Sequence, residues 1–253
     1  MTEIPVILMI FLFIVMVFGG FAKGTMGFGL IVSTVPFLSV VIPPKDAMAW
    51  MAVPILLLNI YALILTRSEW RQTPRIFVFL PACIFFVPIG VRRVVWLPED
   101  ITRAAIGASV FIVVAMRLGG WKPEKKTEHV GHPLSVAWGA ATGFLHGALM
   151  MPAPTLVLYL NYISVPKDAF VFLLNCVSTT LIFTQIVTFA GLGAYASGAG
   201  WQSLFLLAPA VLGMWIGNRF RQSLSESGFE RMVLSLLGLV GITLVAKFIY
   251  GLL

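Results

Sequence analysis

Apolar residues fill long runs of this sequence, and polar residues gather where the runs stop. Bounding the runs by charge, proline or glycine predicts ten helical pieces: 4–22, 25–42, 47–65, 76–91 and 104–118, then 133–151, 153–165, 169–190, 201–217 and 229–250. A helix crossing a bilayer needs about 20 apolar residues, so the chain has room for eight to ten crossings and little else. The expected fold is an all-α polytopic membrane protein. The longest polar interval begins at Gly119-Gly120-Trp121-Lys122-Pro123-Glu124-Lys125-Lys126. It reads as a solvated linker over 119–132, between a first transmembrane repeat at 1–118 and a second at 133–253.

Composition agrees with the pattern. The 253 residues are 59% hydrophobic and 11% charged, whereas a soluble domain carries about 25% charged residues. An ordinary globular domain, a disordered chain and a cytosolic enzyme with one anchor are all excluded. Met1-Thr2-Glu3 has no basic region, and the run from Ile4 to Ala22 is too long for a signal core, so a retained helix is expected there. The net charge of +7 sits in short loops, which reports orientation and gives no reason to expect nucleic acid as a partner. Cys83 and Cys176 lie inside apolar pieces and in no metal or redox spacing. No metal and no cofactor are expected.

The two halves echo one another. Pro44-Lys45-Asp46-Ala47 recurs as Pro166-Lys167-Asp168-Ala169, and Pro81-Ala82, Ile89-Gly90 and Arg92 recur in order as Pro209-Ala210, Ile216-Gly217 and Arg219. Arg103 then matches Arg231. Duplicated halves are a common transporter construction, with the site where the repeats meet near mid-membrane. If all ten pieces cross, twelve basic residues fall on one side, and Lys45, Arg92, Arg93, Arg103 and Lys247 fall on the other. That asymmetry favours inverted repeats, an outside N-terminus and a cytoplasmic linker in the cell membrane. A re-entrant hairpin opening each half keeps the same parity. Merging the first two pieces of each half into one broken crossing gives parallel repeats and splits the charge almost evenly.

Every Asp and Glu lies in a loop or at the end of an apolar piece, Glu230 at the start of the last, which argues against carboxylate-based cation pumping and against an embedded protease. One cation does lie deep. Lys23 stands in Gly19-Gly20-Phe21-Ala22-Lys23-Gly24-Thr25-Met26-Gly27-Phe28-Gly29. A break at these glycines, with helix-terminal amides and a lysine, is a site for an anion; the competing reading is a snorkelling lysine among packing glycines. In the second half, aligning Gly24 with Gly143 sets Thr142 opposite Lys23 and His146 opposite Gly27, with Pro152-Ala153-Pro154 breaking the helix beyond, as Pro36 does in the first half. Asn175, Ser178, Thr179, Ile182 and Gln185 share one helical face, either packing or lining a wet path, while Asn59 stands alone. The substrate-binding set read from the sequence is Lys23, Gly24, Thr25, Gly27, Thr142, His146, Asn175 and Thr179.

The stretch Gly20-Phe21-Ala22-Lys23-Gly24-Thr25-Met26-Gly27-Phe28-Gly29, Pro36 downstream, Pro44-x-x-Ala47, Gly90 and the second copy together resemble the TauE/SafE sulfite-exporter family, over about residues 10 to 250. The family usually carries a small residue at position 23, and the second copy departs further from its pattern. The resemblance implies transport of a small sulfur-containing or organic anion such as sulfite, sulfoacetate or another sulfonate. The expected protein is therefore a non-enzymatic permease of alternating access, in contact with the lipid bilayer and a small anionic substrate, with a homodimer as the oligomer allowed. No GxxxxGK[ST] motif occurs, so transport is expected to be secondary or facilitated. The alternatives are a membrane-embedded enzyme using His146 and a non-transporting membrane subunit.

Overall fold

A computed structural model describes residues 6–26, 30–68, 76–119, 132–163, 165, 167–193, 199–220 and 226–251. The described residues form ten helices and no strand: α1 Val6–Met26, α2 Leu30–Val41, α3 Pro44–Leu65, α4 Phe79–Trp96, α5 Glu99–Leu118, α6 His132–Leu149, α7 Ala153–Tyr162, α8 Lys167–Gly191, α9 Ala199–Phe220 and α10 Glu226–Gly251. Each predicted piece corresponds to one helix, in order. Most of the linker, from Gly120 to Gly131, lies outside the described residues.

Three expectations are corrected. First, α1 runs through Lys23 and Gly24 to Met26 instead of ending at residue 22; packing against α9 overrides the poor helix propensity of its glycines. Second, Pro36 sits inside an unbroken α2; an interior proline breaks helices in water, but neighbouring helices make it tolerable in a membrane. Third, two of the ten pieces are too short to cross a bilayer as straight helices. Helices α2 and α7 have 12 and 10 residues, about 18 and 15 Å at the α-helical rise, against about 30 Å of hydrocarbon. Five of the described helices, α1, α3, α4, α8 and α9, are long and apolar enough to cross. Outward side chains on them, including Ile7, Ile14, Phe85, Phe183 and Trp215, are apolar and exposed, as lipid-facing positions require.

The helix directions follow from close backbone contacts. On α1, Gly20 and Gly24 lie against Ala210 and Met214 of α9, while Gly213 and Gly217 of α9 lie against Val17 and Phe21. The numbers rise together, so α1 and α9 run parallel. On α6, Gly139, Gly143 and Gly147 lie against Phe79, Cys83 and Val87 of α4, so these two helices are parallel as well. A Cβ at any of these glycines would overlap the facing backbone, the close approach that small residues four apart permit. Between α5 and α10, Gly107 meets Leu244 and Val245 while Gly241 meets Val110, so that pair is antiparallel.

Helix α2 folds back along α1, with Phe18 and Phe37 packed edge to face at a centroid distance of 6.3 Å. The last carbonyls of α2 are capped by cations from distant helices. Arg103 Nε donates to Ser39 O at 3.2 Å and Lys247 Nζ to Val40 O at 2.7 Å; nearby, Lys45 Nζ donates to Val95 O of α4 at 2.8 Å. These carbonyls are the unpaired, partly negative end of each helix, so a cation is stabilised there. The start of α3, the start of α5 and the ends of α2, α4 and α10 therefore share one face. In the second half, Tyr159 of α7 stacks on Phe79 at 4.2 Å and donates to Ser135 Oγ of α6 at 3.2 Å.

Candidate functional site

Lys23 lies in the last turn of α1 with 3% of its surface exposed. Its Nζ donates to Asn59 Oδ1 of α3 at 2.6 Å and to Asn175 Oδ1 of α8 at 3.0 Å. Asn175 is oriented in turn by its Nδ2, which donates to Val171 O at 2.8 Å. Three helices thus converge on one ammonium group, and its partners are neutral. Among the described residues the ion pairs are those of Arg103 with Glu99 and Asp100, far away at the start of α5. An ammonium has three N–H donors, and two are used here. A buried charge without a counter-charge is costly, so the arrangement has capacity for an anion.

The other predicted residues are distributed more widely. Gly24 faces the α9 backbone at Met214 and Asn218, which occupies its open side. Thr25 Oγ1 donates to Phe21 O and Ala22 O of its own helix. Thr142 Oγ1 and Thr179 Oγ1 likewise donate to the carbonyls one turn back, Trp138 O and Asn175 O. Gly27 lies outside the described residues. His146 is 0% exposed in the last turn of α6, where the Gln185 side chain of α8 approaches it. The structure therefore brings Lys23 and Asn175 together and sets His146 beside a different part of α8. Lys23 also stands at the C-terminal end of its helix, where the dipole favours a cation, and not at a helix N-terminus as expected.

The glycine contacts change the register between the halves. Gly90 lies against Phe144 just as its sequence match Gly217 lies against Phe21. Gly147 faces Val87 and Val91, and Gly24 faces Met214 and Asn218. Matched by contacts, Gly24 corresponds to Gly147, and Lys23 corresponds to His146. Aligning Gly24 with Gly143 was one helical turn out, so the pairing of Lys23 with Thr142 is corrected. Asn59, absent from the sequence-derived binding set, belongs to the site. Its one signal was being the sole amide in the apolar run of α3.

Beyond this break, Met150 adopts a left-handed conformation with φ 56° and its amide bonded to His146 O at 2.7 Å. A non-glycine residue in this region is uncommon. It ends α6 sharply, and Pro152 and Pro154 start α7 where their missing amides cost nothing. The Pro152-Ala153-Pro154 break is thus present as expected, and His146 is held one turn before it.

A family model for the sulfite exporter TauE/SafE matches residues 12–244. No curated protein and no solved structure matches the chain. The family match covers most of the sequence and both halves of the helix bundle, and the chain belongs to the sulfite exporter TauE/SafE family.

Proposed function

We propose that this multi-pass membrane protein exports a small sulfur oxyanion, sulfite or a sulfonate such as sulfoacetate, and that Lys23 is the charge that binds it. The observation carrying this reading is the buried Lys23 ammonium, held among the described residues by the amide oxygens of Asn59 and Asn175. Such a group recognises an anion by charge-assisted hydrogen bonding, while the fixed acceptors orient it without neutralising it. Family membership supports the exporter class, and the chemistry at Lys23 supports the sign of the cargo.

The same proposal includes two inverted halves moving by alternating access. The parallel α1/α9 and α4/α6 pairs and the antiparallel α5/α10 pair support it, and each half would open with a re-entrant hairpin. In this proposal the protein lies in the cell membrane, and the loop charges support a cytoplasmic linker at 119–132 with the N-terminus outside. Thiol labelling from one face distinguishes the arrangements: cysteines at 45 and 167 react from opposite sides if the halves are inverted.

Radiolabelled sulfite flux in proteoliposomes tests the function. Wild type is expected to carry sulfite without chemical change, and Lys23→Ala to lower its affinity at least about 100-fold, or about 2.7 kcal/mol; Lys23→Arg retains part of it. Unchanged affinity in Lys23→Ala rules out this site.

A further inference from the structure

The contact-matched partner of Lys23 is His146. His146 and Gln185 are both 0% exposed. Their side chains lie close enough to interact, yet among the described residues neither imidazole nitrogen, nor the Gln185 Nε2 or Oε1, closes a hydrogen bond of normal geometry. Native proteins rarely bury unpaired polar atoms, and such a group calls for an occupant or a second state. Two leucines at these places would be less costly to the fold.

The place is as informative as the chemistry. Asn175 and Gln185 share one face of α8 and are ten residues apart, about 15 Å along the axis. Asn175 reaches Lys23 at the end of α1, and Gln185 reaches His146 at the end of α6. One helix face thus carries two polar clusters, each completed by the corresponding residue of one half. Ile182 and Thr179 lie between them, and Thr179 is already bonded to its own helix.

We propose that His146 and Gln185 form a second resting place for the transported oxyanion, about 15 Å along α8 from Lys23 and built from neutral donors only. It rests on the oxyanion-carrier reading. A neutral imidazole offers one N–H and the glutamine amide two, enough to bind the oxygens of a small oxyanion on one side. No bond is made or broken. A path with one strong station releases its cargo slowly; multiple sites with one weak enough to leave allow passage. Lys23 is the strong station, and the uncharged pair is the weak one.

Equilibrium dialysis of radiolabelled sulfite against the full-length protein, with flux measured in parallel, tests this. Wild type is expected to bind two sulfites per chain, one tightly and one at least about tenfold more weakly, a difference of about 1.4 kcal/mol. Gln185→Leu keeps the tight site within about twofold, loses the weak one and slows flux at least about tenfold. Its melting temperature stays level or rises, because the substitution removes unpaired buried atoms. His146→Phe has the same effects on binding and flux, whereas His146→Gln restores donors and most of the flux, which covers a folding failure in any one variant. A single sulfite per wild-type chain overturns the proposal. So does a Gln185→Leu or His146→Phe protein with the weak site and flux intact. Tight binding that survives Lys23→Ala overturns instead the reading on which this one rests.

Discussion

Lys23 and His146 occupy matching places, one turn from the end of α1 and of α6, and the folds around them treat them oppositely. The lysine is clasped by two amide oxygens from two other helices. The histidine meets a single glutamine and closes no hydrogen bond among the described residues. Backbone packing does not cause the difference, because Gly24 and Gly147 approach α9 and α4 in the same way. The difference lies in the amides: Asn59 and Asn175 are placed to coordinate a cation, and no amide pair from α3 and α8 closes on His146. Two helix ends packed alike against their neighbours thus hold a clasped lysine at one place and an unpaired histidine at the other, and on the proposed function it is the lysine's charge that selects the sign of the cargo.

The contrast can be broken most directly by giving Lys23 an internal counter-ion. Asn175→Asp keeps the shape of the side chain and adds a carboxylate where Nζ now meets an amide oxygen at 3.0 Å. The fixed charge competes with the substrate, so sulfite affinity is expected to fall at least about 100-fold, near 2.7 kcal/mol. Affinity equal to wild type in a dialysis titration would remove Lys23's charge from the mechanism. The next largest effect falls on the scaffold. Gly24→Leu forces a side chain into the α9 backbone at Met214 and Asn218, and overpacking of this kind costs about 1–3 kcal/mol, occasionally more. Gly147→Leu is expected to cost a similar amount against Val87 and Val91. Thermal unfolding in detergent reads both, and a harmless Gly24→Leu with weakened sulfite binding would return Gly24 to the binding set.

Which parts were legible in the sequence follows from these same residues. Hydrophobic runs set the ten helices, because apolar length is a property of each segment alone. Lys23 and His146 were visible for the same reason, as polar residues in apolar runs. The register was not legible. Gly139, Gly143 and Gly147 repeat every four residues, so the second half matches the first almost equally well after sliding by one turn. Only the partners on α4 and α9 decide among them. Asn59 carries only the weak signal of a lone amide in an apolar run, since the atom that gives it meaning is 36 residues away on another helix. The sequence pattern ends α1 four residues short because glycine weakens an isolated helix, whereas in the fold glycine is what lets α9 approach and hold it.

The two hairpins differ in how their short arms are fastened, and smaller effects are expected there. Helix α7 is pinned by Tyr159, stacked on Phe79 and bonded to Ser135. Tyr159→Phe keeps the stack and loses the hydroxyl bond, worth about 0.5–1.5 kcal/mol, and thermal unfolding should register that loss with sulfite affinity unchanged. A shift in affinity as large as that of Asn175→Asp would show that α7 shapes the binding site directly.

Helix α2 is fastened by charge at its C-terminal end, so its loss should be milder still. Lys247 reaches Val40 O at 2.7 Å, while Arg103 independently takes Ser39 O and is itself steadied by Glu99 and Asp100. Removing Lys247 leaves Arg103 in place and frees a carbonyl near an exposed surface, where water can replace the ammonium. A cation at a helix C-terminus contributes about 0.3–1 kcal/mol when exposed, and salt screens it. Lys247→Ala is therefore expected to lower stability by about 0.5 kcal/mol, with most of that difference gone in high salt. Arg103→Ala should cost more, because it removes a carbonyl partner and both ion pairs of the described residues at once. Equal losses for the two variants, or a Lys247→Ala effect untouched by salt, would show that Lys247 holds α2 by packing its stem and not by its charge.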